Sequence, residues 1–114
     1  MRTDRVKGHL ELVLLSVLAD EPGHGYAVIT ALRERTGGVL DLPEGSVYPA
    51  LHRLEDLGLV HGEWQAVAGR RRRVYALTSA GASALTRERR DWRALVAAID
   101  AAIRPGAQVA GGLA

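Results

Sequence analysis

From Lys7 to Asp20, Leu10, Val13, Leu14, Val17 and Leu18 recur at the i, i+3, i+4, i+7 spacing of one helix face. Leu12 and Leu15 widen that face until it covers most of the circumference. Such a helix needs partners on more than one side, either as the centre of a small bundle or against a second subunit. Glu21-Pro22-Gly23 stops it, because proline cannot continue the hydrogen-bond ladder. A second helix is predicted from His24 to Arg35, with Tyr26, Ile29 and Leu32 inward and Gly37-Gly38 as its breaker. Val39, Leu40 and Leu42 then anchor a connector that closes near Pro43. The third helix is predicted from Ser46 to Leu57, burying Val47, Leu51 and Leu54 and ending at Gly58. With Ser46 as N-cap, Pro49 falls in the first turn, where its missing amide costs little. A start near Pro43 would place Pro49 in the second turn instead, and the pattern leaves both open.

Leu59 to Ala66 and Arg73 to Leu77 read as two short strands. Val60, Gly62, Trp64 and Ala66 alternate onto one face of the first, and the second sets Val74 and Ala76 against Arg73, Tyr75 and Leu77. Between them, Val67 to Arg72 forms a predicted hairpin tip that holds Gly69 and three arginines. Two strands alone are marginal, so the ribbon must pack on the helices, with the Trp64 ring expected to be buried there. Thr78 or Ser79 caps a last helix to about Ile103, along which Leu85, Trp92, Leu95 or Val96, Ile99 and Ala102 or Ile103 make an approximate heptad stripe. The remaining domain is too small to cover that stripe, and a second copy of the chain is the expected partner. The expected dimerisation residues are Leu10, Leu14, Leu85, Trp92, Leu95, Val96, Ile99 and Ile103.

This order is mainly α with a small β-wing: a winged helix-turn-helix over residues 1–78 and a C-terminal dimerisation helix over 79–103. Pro105, Gly106, Gly111 and Gly112 make 104–114 an expected flexible tail.

A chain of 114 residues holds one modest core, and its 47% apolar and 25% charged residues fit a folded protein rather than a disordered one. No apolar run reaches the roughly 18 residues of a membrane span. Met1 to Lys7 lacks the apolar block of an export signal, so a cytoplasmic protein is expected. The absence of cysteine removes disulfides, thiolate metal sites and thiol catalysis. His9, His24, His52 and His61 show no metal-ligand spacing, and neither Ser46 nor Ser79 has an evident base and orienting group. No metal, cofactor or enzyme activity is expected.

The net charge of +2 conceals an uneven distribution. Before residue 61 there are 6 Lys/Arg and 9 Asp/Glu; from there onward there are 9 Arg and 4 Asp/Glu. Arginine outnumbers lysine 14 to 1, and its planar fork suits phosphates and guanine edges. A concentrated positive ribbon after a short helix points to double-stranded DNA.

A recognition helix enters the major groove by its N-terminal part, which here offers Ser46, Tyr48, Pro49, His52 and Arg53. Each also has a plainer reading. Ser46 can be a cap, Tyr48 a core-edge aromatic, Pro49 a helix-start residue, and His52 and Arg53 members of a solvated face. Arg70, Arg71, Arg72 and Arg73 suit phosphate or minor-groove contact, with Arg73 the one placed to turn back onto the domain. His24, Tyr26 and Tyr75 read as structural. Trp92 is either seam core or, with Val96, the wall of an effector site. The alternative function class, a winged helix that binds only protein, gives the arginines no role.

Four strings carry a family resemblance: G-x-L-E-L-V-L-L at Gly8–Leu15, H-G-Y-x-V at His24–Val28, L-x-E-G-S-V-Y-P-A-L-H-R-L-E at Leu42–Glu55 and G-R-R-R-R-V-Y-x-L-T at Gly69–Thr78. With the T-x-x-G of Thr78–Gly81, they make the chain closely resemble the PadR family of transcriptional regulators from about Lys7 to Leu85. The short last helix is similar to that of the compact subgroup, with a single dimerisation helix. The resemblance implies a homodimer on inverted-repeat operators, usually a repressor, released in some members by a small aromatic or hydrophobic effector. It also implies that Tyr48 meets phosphate or a base methyl, and that Trp92 stands where drug-binding members carry a tryptophan.

Overall fold

The structure, a computed structural model, describes residues 6–106. Residues 107–114 of the expected tail lie outside the described residues. A 3-10 turn at Lys7–His9 leads into α1 (Leu10–Asp20) and α2 (Gly25–Arg35). Next come α3 (Glu44–Asp56), strands β1 (Val60–Val67) and β2 (Arg70–Leu77), and α4 (Ser79–Ile103).

α1 is the centre of the bundle. Leu10, Leu12, Leu14, Leu15, Val17 and Leu18 are all buried, and the helix packs against α2, α3, α4 and β2. Its wide apolar face therefore reports burial inside one protomer. The expected dimerisation set is corrected accordingly: Leu10, Leu14 and Leu85 are only 7%, 0% and 3% exposed, within the protomer's own core.

The α2 cap is His24, whose Nδ1 accepts the Ala27 N–H at 3.2 Å. Gly37 and Gly38 end the helix with φ of 59° and 87°, and the Gly38 N–H reaches back to the Arg33 carbonyl at 2.8 Å. Tyr26, expected inward, is exposed; Val28, Ile29 and Leu32 fill the inner face instead. In the connector, Leu42 is buried while Val39 is exposed.

α3 begins two residues before the expected cap. Pro43 is its N-cap residue, and the Pro43 carbonyl accepts the Ser46 N–H at 3.0 Å and the Val47 N–H at 3.2 Å. Ser46 is therefore the third helical residue, not the cap, and Pro49 lies inside the helix. The bond that residue 49 would donate to the Gly45 carbonyl is missing, but Gly45 is exposed, so water can satisfy that oxygen. Val47, Ala50, Leu51 and Leu54 hold the helix to the core.

The strands pair antiparallel from Val60↔Leu77 to Val67↔Arg70, leaving Ala68-Gly69 as a two-residue turn. Both turn residues have positive φ, 50° and 78°, as a type I′ hairpin requires. The four arginines are thus strand residues rather than a tip. Alternation puts Arg71 and Arg73 on one face of β2 and Arg70 and Arg72 on the other. Tyr75 is buried, and its backbone exchanges two hydrogen bonds with Gly23, at 2.9 and 3.0 Å. The loop after Pro22 thereby ties the wing to the helices.

Thr78 caps α4: its hydroxyl accepts the Gly81 N–H at 3.0 Å and donates to the Gly58 carbonyl at 2.7 Å. Only Gly81, Ala84 and Leu85 of this helix are buried. Beyond them Trp92, Leu95, Ile99 and Ile103 are exposed and Val96 is half-buried. A Cβ at Gly81 would lie 2.0 Å from the Leu59 carbonyl oxygen, so α4 docks only because residue 81 has no side chain. Gly81→Ala is expected to destabilise the fold by about 1–3 kcal/mol, read as a lower urea midpoint at an unchanged slope.

Candidate nucleic-acid interface

The side of α3 opposite Val47, Leu51 and Leu54 presents Gly45, Pro49, His52 and Asp56 in one row. Tyr48 and Glu55 lie on the flank toward the wing, and Ser46 and Arg53 on the opposite flank. The five residues expected to read DNA are therefore not equivalent. Pro49 and His52 face outward, Ser46 and Tyr48 are half-buried, and Arg53 reaches toward α1. Its Nε lies 3.4 Å from Glu11 Oε1 in an exposed pair, an interaction of little strength.

Tyr48 lies over Gly25, where a Cβ would come within 2.4 Å of the tyrosine Cε1. The H-G-Y string thus supplies both the cap of α2 and a seat for the Tyr48 ring. Tyr48 also lines a cavity of about 310 Å³ between α3 and the wing, with His24, His52, Trp64, Tyr75 and Arg71 to Arg73. His24 faces it in a defined protonation state. An Nδ1 that accepts the Ala27 N–H carries no proton, which leaves Nε2–H as a donor. Burial first, and then the positive charge of Arg72, lowers the His24 pKa below its ordinary 6.5.

The arginines divide by what they touch. Arg73 does turn back onto the domain: its Nη2 donates to Glu55 Oε2 at 2.6 Å. The same oxygen accepts the Gly62 N–H at 3.1 Å. Burial by itself would raise the Glu55 pKa, but these two hydrogen bonds and the Arg73 charge outweigh it and hold the carboxyl below its ordinary 4.5. Trp64 departs from the sequence expectation. The residue is 57% exposed, with the guanidinium carbons of Arg71 and Arg73 at 5.1 and 5.7 Å from its ring centroid. The reason is position along the strand: burial on β1 ends at Gly62, and Trp64, paired with Arg73, lies one step beyond.

The two expected effector residues are only partly brought together. Trp92 meets His9 edge-on at 4.8 Å between ring centroids. It walls an apolar groove of about 360 Å³ with Val6, Leu12, Val13, Val39 and Leu40, whereas Val96 is not among the lining residues. Among the described residues, no group of three or more His, Asp or Glu is placed to hold a metal ion. No described helix is long and apolar enough to cross a membrane.

The model of the "Transcriptional regulator PadR-like family" matches residues 14–87. The chain belongs to the PadR-like family. It is 44% identical over 81 residues to the "Transcriptional regulator Rv3488" of Mycobacterium tuberculosis, covering 71% of this chain and 73% of the relative. The structure of a PadR family regulator from Eggerthella lenta superposes with a TM-score of 0.79 at 26% identity, over 90% of this chain and 88% of that one. A PadR-like regulator from Bacillus cereus gives 0.77 at 26% identity, over 90% and 99%. A PadR-like protein is a DNA-binding transcriptional regulator and not an enzyme.

The depressed His24 pKa has a consequence for PadR-like stability here. Its contribution is complete above the unfolded value near 6.5 and is lost as the pH falls through the lower folded value. Urea midpoints should therefore fall on acidification below about pH 6.5, and His24→Asn, which caps without titrating, should flatten that part of the profile.

Proposed function

We propose that the chain is a homodimeric cytoplasmic repressor of an inverted-repeat operator. The α3 helix of each protomer enters a major groove, and the wing grips the flanking backbone. One observation carries the DNA half of this reading: Tyr48 and His52 of α3 and Arg71, Arg72 and Arg73 of β2 border a single cavity. Pro49 and His52 meet base edges, with Tyr48 and Ser46 at the phosphates alongside. Arg70, Arg71 and Arg72 supply affinity with little regard to sequence. Residues 1–78 bind DNA and residues 79–103 join the protomers. The support for a dimer is α4 itself, on which Leu95, Ile99 and Ile103 are exposed in one row with Trp92 and the half-buried Val96. A small aromatic or hydrophobic effector enters the groove beside Trp92 and changes the separation of the two α3 helices. Selection from a pool of random duplexes tests the reading: enrichment of an inverted repeat is expected. Enrichment of no duplex at all would favour a winged helix that binds protein.

Two substitutions probe the parts. Replacing Arg71 and Arg72 together with alanine should weaken binding to every duplex. It should also flatten the slope of log K against log salt by roughly 1–2, seen in anisotropy titrations. Leu95→Asp or Ile99→Asp buries a charge in the seam and should halve the mass measured by light scattering, with loss of operator affinity.

A further inference from the structure

We infer that Glu55 and Arg73 form a strap that sets the wing's angle against the recognition helix, making Glu55 a positioning residue for operator specificity although its charge repels DNA. This rests on the DNA-binding reading above. Glu55 occupies the wing flank of α3, where a carboxylate costs affinity for a polyanion unless it does something else. Its side chain is 26% exposed and that of Arg73 33%, so their contact is less screened than the surface pairs. Among the described residues it is the one ion pair that joins α3 to the wing.

The strand is built to let this pair through. A Cβ at Gly62 would stand 2.8 Å from Arg73 Nε and 3.1 Å from Glu55 Oε2. Any side chain there would require Arg73 and Glu55 to shift from these positions. Past Gly62 the chain of contacts continues outward, because the Arg73 guanidinium lies against Trp64 and Trp64 against Arg71. Glu55 on the helix thus fixes Arg73, Arg73 fixes the Trp64 ring, and the ring places Arg71 at the outer wing. Arg73 is held from both sides and is a strut, not a phosphate ligand. A wing freed from the strap would still bring Arg70, Arg71 and Arg72 to phosphates, but without a set register to α3.

The test compares a duplex enriched by the selection above with a scrambled duplex of the same length, by anisotropy at one salt concentration. Glu55→Gln should bind the selected duplex roughly tenfold more weakly, the scale of coupling between contacting residues. Its affinity for the scrambled duplex should hold or rise, because a negative charge is gone. Arg73→Lys, which keeps the charge without the planar stack, should lose the same selectivity. If Glu55→Gln tightens both duplexes alike, Glu55 is only a solvated charge and the proposal is overturned. Should Glu55→Gln fail to show a cooperative urea transition, Arg73→Lys decides, and undiminished selectivity overturns the proposal. A DNA-free arm uses Trp64 emission in a Trp92→Phe background. Glu55→Gln should shift it, and an unchanged spectrum counts against the strap. Failure of the wild type to bind any duplex would instead sink the DNA reading, with the emission arm still deciding the strap.

Discussion

A helix whose apolar residues run round most of its circumference must be covered on more than one side, and α1 is that helix. Covering it takes α2, α3, α4 and β2 together, which is why so short a chain has one contiguous core. The cover determines the face that is left. Because Val47, Ala50, Leu51 and Leu54 are spent on the core, α3 must turn Gly45, Pro49, His52 and Asp56 outward. The wing is attached to the same core through Tyr75, both by its buried ring and by its backbone bonds to Gly23. α3 and the wing therefore share one base.

On that base, charge is sorted by depth. Arg73 is drawn in by Glu55 and the Gly62 gap, while Arg70 and Arg71 remain at the surface. Much of α4 is sorted the other way, with apolar residues left in water by the protomer's own fold.

Much of this was legible in the chain. The wide stripe of α1 and the breakers at Pro22-Gly23 and Gly37-Gly38 lie where the pattern puts them, because period and turn chemistry are local properties. A two-strand ribbon follows α3 as expected, though β2 begins at Arg70 rather than Arg73. Helix starts were less legible. Ser46 has the side chain of a cap, yet Pro43 supplies the first carbonyl and Ser46 sits one turn in. Tyr26 and Trp64 misled in one direction: an aromatic ring suggests burial, but whether a core is within reach depends on where the next layer ends. Leu14 and Leu85 misled in the other, since an apolar stripe does not say whether its cover comes from the same chain or a second copy.

The sequence by itself determined the elements, their order, the positive ribbon and the family strings, all of which depend on residues close together in the chain. Tertiary structure alone decided which side chains became a surface. The Gly23–Tyr75 bridge and the Glu55–Arg73 pair join residues 52 and 18 positions apart. A hydrogen bond or ion pair across such distances depends on the relative placement of whole elements. No local period records that placement.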